Sequence, residues 1–344
     1  MPDAHDAIRA AERAAGVLTA ATQQGTERKE AVRRAVAALK SGPALRLDGM
    51  PLSTGVEVVR RLARVDGSLA QIPQSHLVFA RRFPGHIPAG ALIANAQVDG
   101  DPEVGITNGL LTGEKRFCTG SAYADLLAVT VSAEPAVAVL IRADAPGVGV
   151  TGDWAAMGQS YTASGTVRFD RVDVAQAPRS LRSDALALRH YGAYAQALHA
   201  GIDLGLFEGA VSAAYERAGL PRNAGGEDQL LSALVGEVEV ELYVARASLS
   251  SMLGALDDPS ADANEVAEDV TAAKLAIQDA ALRTVQRLFE VTGTAGAAGQ
   301  DPLDRWWRDL RTHTLHDKRR VKLGLLGRRV VTGERIPRNE KLGG

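Results

Sequence analysis

The sequence predicts an α+β protein in three parts: an N-terminal helical domain, a central antiparallel β-barrel and a C-terminal four-helix bundle. Two observations predict it. Ala-, Glu- and Arg-rich stretches with few helix breakers occupy both ends of the chain, whereas short apolar runs separated by Gly, Asp and Pro occupy the middle. The predicted boundaries are 1–88, 89–180 and 181–344. With 344 residues, of which 46% are hydrophobic, the chain is large enough for several cores.

The first part is predicted to be helical because residues 4–40 favour helix and contain few breakers. A second helical stretch follows a cluster of Gly and Pro at 41–54, and Pro84 and Pro88 end it. Its apolar side chains are spaced for one buried face: Val56, Val58, Val59, Leu62 and Leu69.

The middle part is predicted to be a sheet or barrel from its apolar runs, which lie at 126–131, 136–141, 148–150, 166–169 and 172–174. Helix-forming sequence returns near Asp184. Four long helices are predicted at 185–219, 227–257, 262–291 and 302–333, and their apolar faces indicate a bundle.

Charge and composition exclude several classes of function. The formal net charge is −2 and the pI is about 6.4, so no global excess of positive charge indicates nucleic acid or an anionic membrane as a partner. The single cysteine, Cys118, excludes an intrachain disulfide and favours a reducing compartment. No stretch approaches the roughly 20 apolar residues needed to cross a bilayer, and residues 1–13 have no signal-peptide pattern. We therefore expect a cytoplasmic protein.

Three motifs occur in order along the chain. Residues 110–125 read Leu-Leu-Thr-Gly-Glu-Lys-Arg-Phe-Cys-Thr-Gly-Ser-Ala-Tyr-Ala-Asp, and residues 152–159 read Gly-Asp-Trp-Ala-Ala-Met-Gly-Gln ahead of a strand-like stretch at 162–170. Residues 307–317 read Trp-Arg-Asp-Leu-Arg-Thr-His-Thr-Leu-His-Asp. Together they resemble the acyl-CoA dehydrogenase superfamily, and the last resembles its flavin-dependent monooxygenase branch (dibenzothiophene monooxygenase-like). The resemblance spans roughly 60–330, and relative to it the N-terminal helical domain looks shortened.

The resemblance implies a two-component monooxygenase. Such an enzyme takes reduced flavin, reacts it with O₂ and uses the flavin C4a-hydroperoxide to oxygenate a small-molecule substrate. The sequence contains no Gly-x-Gly-x-x-Gly unit between a strand and a helix, so no NAD(P)H site is visible. A separate flavin reductase is therefore the expected partner, and the family assembly implies a homotetramer, a dimer of dimers.

Two histidines near the end of the chain are the main catalytic candidates. His313 and His316 are three residues apart on a predicted helix and would share one face. Histidine suits proton transfer because its ordinary pKa of about 6.5 lies near working pH. Asp309 and Asp317 flank His313 at four residues on either side, and each is a candidate to orient its ring. The alternative is an ordinary helix surface with local ion pairs. A metal site would need a further ligand and an open position, and we expect no other His or Cys suitably nearby.

A third histidine and an asparagine are carried over from the resemblance. His76, near the end of the N-terminal helical part, matches a histidine that lies over the flavin edge, and His86 is the rival candidate. Asn95 matches an asparagine at the first barrel strand, near substrate and flavin; an amide there can both donate and accept a hydrogen bond. An ordinary polar position for His76 and a turn role for Asn95 remain open.

Four further residues are predicted to contact the flavin. Side chains alternate along a strand, so Phe117 and Thr119 would share a face and place an aromatic ring and a hydroxyl at the flavin edge, with Cys118 on the other side as a packed thiol. Trp154 is predicted to stack near the ring system, with simple core packing as the alternative. Ser164, in a turn, is predicted to bind phosphate.

The flavin is predicted to be FMN, with FAD as the alternative. FAD-using members grip the adenosine half with an Arg-x-x-Phe stretch and a Gln-x-x-Gly-Gly segment. The matching places here, 221–226 and 289–294, lack the phenylalanine of the first and the glutamine of the second. Arg283, near a Gly293 turn, is the predicted phosphate contact from a neighbouring subunit.

Two other functions remain open at this point. Asp317 lies where many dehydrogenases carry a catalytic glutamate, so a dehydrogenase or a nitroalkane-oxidase-like enzyme with Asp317 as base is the first alternative. A flavin-free protein that keeps the scaffold for assembly is the second.

Overall fold

The structure, a computed structural model, describes residues 2–132, 135–221, 228–299 and 303–336. They divide into two compact units. The first unit contains the chain up to Val58 together with Ser68–Ala156 and Ser160–Tyr191. The second contains Val59–Gly67, Met157–Gln159 and the chain from Gly192 onward. The three predicted domain boundaries remain a prediction.

Four helices occupy the first part of the chain: α1 (Ala4–Gln23), α2 (Arg28–Ser41), α3 (Leu52–Ala63) and α4 (Gly67–Phe79). Asp3 begins α1 with a capping box, in which its side chain accepts the Asp6 amide at 2.8 Å. The stretch at 4–40, predicted to favour helix, forms two helices, with a break after α1. Gly25 there has φ +79°, a left-handed conformation that ends helices and that glycine adopts without strain.

The first unit also contains two sheets. One has the order β1 (Ile93–Ala96), β5 (Leu126–Val131), β6 (Val137–Arg142) and β9 (Arg179–Leu181). The other has the order β2 (Val98–Asp99), β4 (Leu110–Arg116), β8 (Val167–Asp173) and β7 (Val148–Val150), with β3 (Gly105–Thr107) also paired to β4. Their core contains Leu111, Cys118, Val129, Val139 and Phe169. The unit ends with the short helix α5 (Arg182–Ala187).

The predicted antiparallel β-barrel does not form a closed barrel in the part of the chain that the structure describes. Among the described residues the strands form two open sheets, and β1 pairs with β5 in parallel, with Ile93 opposite Leu126. A barrel requires every strand to pair on both sides. Here β2, β3, β7 and β9 are only two or three residues long and lie at sheet edges. A bulge between Leu111 and Gly113 also interrupts the β4–β8 ladder.

The second unit is helical. It contains α6 (Tyr191–Arg217), α7 (Gln229–Asp257), α8 (Ala263–Val285), α9 (Leu288–Thr292), α10 (Asp304–Thr314) and α11 (Arg319–Thr332). Asp228 and Asp262 cap the N-termini of α7 and α8 through backbone amides. Helices α7, α10 and α11 each contact α8. The arrangement as a four-helix bundle remains a prediction.

Three of the four predicted C-terminal helices are broken. The predicted helix 185–219 is interrupted between α5 and α6, where Leu188 is extended and His190 has φ +53°. The helix 262–291 divides into α8 and α9. The helix 302–333 divides into α10 and α11 at Leu315–Lys318, which matters for function because His316 and Asp317 lie in this break.

Two glycines on α6 permit a close approach within the second unit. A Cβ on Gly205 would collide with the Arg60 carbonyl, and a Cβ on Gly209 would collide with the Trp306 ring. The backbone of α6 therefore packs directly on the Val59–Gly67 segment and on α10. Within the described ranges, no helix is both long enough and apolar enough to span a bilayer.

Candidate functional site

Three histidines come together in the second unit. His199 lies on α6, His313 on α10 and His316 in the turn after α10. The His199 and His316 rings stack with their centroids 3.8 Å apart, and the His313 ring lies 5.1 Å from the first and 5.5 Å from the second. His199 and His313 are buried, whereas His316 retains exposed surface. We call these three residues the trihistidine cluster.

A buried carboxylate orients His313. The Oδ1 atom of Asp203, which is fully buried on α6, lies 2.6 Å from His313 Nδ1. Gln278 on α8 donates to the second carboxylate oxygen at 2.9 Å. An ionised carboxylate only accepts hydrogen bonds, so the proton lies on His313 Nδ1. Neither Asp309 nor Asp317, the two sequence candidates, orients this ring.

The bond between His313 and His199 has a defined direction. Nε2 of His313 lies 3.0 Å from Nδ1 of His199. With its proton on Nδ1, a neutral His313 accepts at Nε2, so the Nδ1–H group of His199 donates. The result is a directed chain of hydrogen bonds from His199 to His313 to Asp203. It leaves Nε2 of His199 without a proton.

His316 lies beyond α10, which ends at Thr314, so the two histidines are not on one continuous helix as the sequence predicted. Their rings nevertheless lie side by side, with centroids 5.5 Å apart. The Nδ1–H group of His316 donates to the carbonyl of His313 at 2.9 Å. The same carbonyl also accepts the backbone amide of His316, at 3.4 Å. The side-chain bond fixes the His316 tautomer, so that Nε2 is the nitrogen available to another group.

Two of these rings are held neutral. Burial, followed by the neighbouring His316 and His313, lowers the pKa of His199 well below 6.5. Desolvation by the packed rings, followed by the positive charge of Lys274, also lowers the pKa of His316 well below 6.5. At neutral pH both therefore present neutral imidazoles, which release protons sparingly.

Asp317 forms two ion pairs next to the trihistidine cluster. Its Oδ2 atom accepts from Lys274 at 2.9 Å and lies 3.1 Å from Lys322 Nζ. Lys274 is completely buried and also donates to Gln196 at 2.6 Å. Burial alone would raise the pKa of Asp317, but the two lysines hold it at about 2. Asp317 is thus a fixed anion and a weak base.

In the first unit, the aromatic candidates Phe117 and Trp154 lie together. Their ring centroids are 6.5 Å apart in an edge-to-face arrangement. Phe117 is 58% exposed and has φ +55°, a conformation that is uncommon for a non-glycine residue and is found at functional sites. Strand β4 ends at Arg116, so the predicted alternation along a strand does not apply at Phe117 and Thr119.

Thr119 and Ser164 contact each other directly. Their hydroxyl oxygens are 2.9 Å apart, and Ser164 donates to Thr162 at 2.8 Å. Since a serine hydroxyl has one proton, Thr119 is the donor to Ser164, and its own oxygen keeps acceptor capacity. Cys118 is buried, and burial raises the pKa of its thiol to about 12, so it is an unreactive packed thiol.

His76 has different surroundings from those that the resemblance implies. His76 is buried, its Nε2–H group donates to the Leu45 carbonyl at 2.8 Å, and its Nδ1 accepts the Ile93 amide at 3.2 Å. Both ring nitrogens thus bind backbone, and the contacts favour a structural role. Asn95 on β1 accepts from Ser75 at 3.0 Å. His86 is exposed.

The predicted phosphate contact, Arg283, is ion-paired on the surface. It donates to both carboxylate oxygens of Glu241, at 3.2 and 3.1 Å, and its side chain is 60% exposed. The predicted first cofactor anchor, residues 221–226, falls almost entirely outside the described residues. The second, 289–294, lies in α9 and the turn after it.

Sequence reasoning missed four residues of this site: His199, Asp203, Lys274 and Gln278. A signal existed. His199 and Asp203 are four residues apart in a helix whose buried side chains are mostly apolar, and buried polar residues in such a helix require partners. The pair Lys274 and Gln278 repeats this spacing on α8. The expectation that no other histidine approaches His313 was wrong, because α6 supplies one 114 residues away in sequence.

Comparisons with known proteins agree with this picture. The family model "Acyl-CoA dehydrogenase, C-terminal domain" matches residues 197–319. Dibenzothiophene monooxygenase of Rhodococcus erythropolis is 28% identical over 344 residues, covering 83% of this chain and 82% of that protein. A probable FMNH2-dependent monooxygenase of Pseudomonas putida is 30% identical over 251 residues, covering 65% and 62%. The resemblance to the acyl-CoA dehydrogenase superfamily, in its flavin monooxygenase branch, is confirmed.

A solved structure supports the fold. TdsC from Paenibacillus sp. A11-2, crystallised with FMN and indole, superposes with a TM-score of 0.84 at 24% identity and covers 96% of this chain and 98% of its own. The α+β class and the acyl-CoA dehydrogenase-like fold are thereby confirmed. The curated relatives also confirm the predicted enzyme class, a flavin-dependent oxidoreductase of the monooxygenase type.

Proposed function

We propose that this protein is a two-component monooxygenase that uses reduced FMN and O₂ to oxygenate a small-molecule substrate. The observation that carries the proposal is the hydrogen-bonded trihistidine cluster, oriented by Asp203, within the segment that matches the family model. Reduced FMN, when bound, would supply the oxygen chemistry, for which the family resemblance implies a C4a-hydroperoxide. The protein's own task is to bind the ring, exclude water and control protons.

The cluster suits proton control. Oxygen chemistry on a flavin fails when protons leak into the site, so proton donors must be few and fixed. His316 presents Nε2 with its tautomer fixed by the carbonyl of His313, and we assign it the role of the residue that handles the proton at the reacting group. His313, His199 and Asp203 are positioning residues that hold the cluster in one protonation pattern.

Residues of the first unit fit a flavin ring. The exposed Phe117 and its neighbour Trp154 offer apolar ring surfaces. The Thr119 oxygen, which donates its proton to Ser164, keeps lone pairs that can accept from a ring N–H group. We propose that Phe117, Trp154 and Thr119 contact FMN and that Ser164 supports Thr119. Asn95 remains a proposed contact near the substrate.

FMN is preferred to FAD on two grounds. A relative that is 30% identical is named as FMNH2-dependent, and TdsC was crystallised with FMN. In addition, the sequence places expected to hold the adenosine half of FAD lack the phenylalanine and the glutamine of the family pattern. The paired Arg283 gives no separate support for a phosphate site.

The structure disfavours the dehydrogenase or oxidase alternative. It requires Asp317 to remove a proton from substrate, yet Lys274 and Lys322 hold the pKa of this carboxyl at about 2. An effective general base has a pKa near the working pH. The flavin-free alternative is disfavoured because scaffolding alone gives no reason to keep a cluster of buried polar side chains, which are costly to bury.

We further propose that the protein is a homotetramer and that a separate reductase supplies its reduced flavin. Helix α7 exposes apolar side chains on one face: Val240 is 64% exposed, Tyr243 73% and Val244 44%. Exposed apolar patches of this kind mark protein–protein contacts. Light scattering coupled to size exclusion measures the mass; a monomer would contradict the assembly.

To test the function, the protein is mixed with FMN, a flavin reductase, NADH and O₂. Dibenzothiophene and indole serve as trial substrates. We expect oxygen-18 from labelled O₂ in the product, detected by mass spectrometry. His316→Ala should lower this rate about 10²–10⁴-fold, the usual contribution of a positioned proton donor or acceptor. Its side chain is exposed, so the variant should fold.

Three outcomes would contradict the proposal. Full oxygenation by His316→Ala would remove the assigned role of His316. Substrate oxidation without supplied reduced flavin would favour the dehydrogenase alternative. Absence of any effect of FMN or FAD on the visible spectrum or on the melting temperature would favour the flavin-free alternative.

A further inference from the structure

The trihistidine cluster has the composition of a transition-metal site. One ring nitrogen from each of His199, His313 and His316 lies within 4.8 Å of the others. Imidazole nitrogens are preferred ligands for zinc, copper, nickel and iron, and not for magnesium or calcium. A metal site was not expected from the sequence because it lacked a third ligand. Helix α6 supplies that ligand, His199.

The hydrogen bonds around the cluster match those of histidine metal ligands. Such histidines donate the proton of the other ring nitrogen to a carboxylate or a backbone carbonyl. His313 donates from Nδ1 to Asp203, which Gln278 holds in turn. His316 donates from Nδ1 to the carbonyl of His313. Both rings therefore carry a proton-free Nε2; that of His313 accepts from His199 and becomes available when a cation displaces the His199 proton.

One pair of ligand atoms already has nearly the spacing that an ion requires. Two nitrogen ligands at about 2.0–2.1 Å from a tetrahedral ion are separated by about 3.3 Å. His313 Nε2 and His199 Nδ1 are already 3.0 Å apart. Ion binding at His199 Nδ1 would move its proton to Nε2, so the ring stays neutral. The His316 ring stacks on His199 with centroids 3.8 Å apart, so it must leave the stack to point Nε2 at the ion. Its place in the exposed turn after α10 allows this movement.

The local charge does not exclude a cation. Lys274 and Lys322 are nearby, but both pair with Asp317, and Asp203 adds a second negative charge directly behind His313. Two carboxylates thus offset two ammonium groups, and the cluster is not a net positive site.

We propose that His199, His313 and His316 bind one divalent transition-metal cation of the zinc class, with Asp203 as the carboxylate that orients His313. The cation uses the lone pairs of Nε2 on His313 and His316, so it competes with the proton control that we assign to these residues. Binding of the cation stands independently of the proposed function; reversible inhibition of oxygenation by the cation rests on that function.

The test is titration of the flavin-free protein with Zn²⁺ by calorimetry and with Co²⁺ by visible absorption. We expect one ion per chain and the absorption bands of tetrahedral Co²⁺. His316→Ala should weaken binding at least about tenfold, and Asp203→Asn about 10–100-fold, the usual effect of losing the group that orients a ligand. His5→Ala, which removes an exposed histidine on α1, is the matched control and should leave affinity unchanged.

Each outcome supports or overturns a stated part of the proposal. Absence of tetrahedral Co²⁺ bands, or equal Zn²⁺ affinity in the wild type and His316→Ala, overturns the site. Weaker binding in His5→Ala alone assigns the ion to the N-terminal helix and also overturns it. In the oxygenation assay, Zn²⁺ should inhibit and a chelator should restore the rate. Binding without inhibition overturns the competition, while a wild type that binds Zn²⁺ but never oxygenates refutes only the proposed function.

Discussion

Two buried histidine environments in this molecule differ in what their ring nitrogens bind. His76, in the first unit, binds the backbone of Leu45 and Ile93 with its two nitrogens. His313, in the second unit, binds the side chains of Asp203 and His199. Backbone amides and carbonyls are not acid–base groups at the pH values where proteins work, whereas carboxylate and imidazole side chains are. Burial alone therefore does not mark a functional histidine; the chemistry of its partners does.

The largest expected effect is the loss of oxygenation rate in Asp203→Asn. An asparagine amide can donate to His313 Nδ1 and so favour the tautomer with its proton on Nε2, which then opposes the Nδ1–H group of His199. We expect the oxygenation rate to fall about 10²–10⁴-fold. Nitrogen-15 NMR of the histidine rings reports the tautomer separately. If neither the tautomer nor the rate changes, the functional distinction between His313 and His76 is refuted.

The matching change in the first unit is His76→Leu. It leaves the Leu45 carbonyl and the Ile93 amide buried without partners, at about 1–3 kcal/mol each. We expect a lower free energy of unfolding, measured in urea, and a rate per folded molecule within a few-fold of the wild type. A loss of rate as large as that of Asp203→Asn, without a loss of stability, would return His76 to the catalytic residues.

A smaller effect is expected from Lys274→Met. It removes one of the two cations bound to Asp317, and the remaining Lys322 compensates in part. We expect a loss of about 1–3 kcal/mol, below that of breaking an isolated buried pair. Arg283→Met is the matched control, because its pair with Glu241 is exposed and should contribute less than about 1 kcal/mol. Equal losses of unfolding free energy in the two variants, measured in urea, would contradict the assignment of Lys274 as buried and Arg283 as exposed.

The smallest effect is the acid dependence of the same ion pair. The pKa of Asp317 is about 2 in the folded protein against an ordinary value of 3.8, so its stabilisation is complete above pH 3.8. It is lost as the pH falls from 3.8 towards 2, because the unfolded chain takes up the proton first. The difference in free energy of unfolding between the wild type and Lys274→Met should therefore shrink as the pH falls through this window. A difference that grows instead would contradict the predicted direction of the pH dependence.

Local sequence patterns predicted much of this architecture. Helix propensity and apolar spacing indicated helices at both ends of the chain, and short apolar runs indicated strands between them. The patterns failed where the chain departs from local regularity. Phe117 leaves the strand conformation with φ +55°, and α10 stops at Thr314, so neither residue alternation nor helix periodicity extends through these points.

The sequence by itself determined the fold class, the superfamily resemblance, and the candidates His313, His316, Phe117 and Thr119. Only the tertiary structure decided that Asp203, 110 residues before His313, orients its ring, that His199 completes the cluster, and that Asp317 is held as an anion by two lysines. The physical reason is that periodicity records which face of an element is buried, while partners across a core depend on how the elements pack.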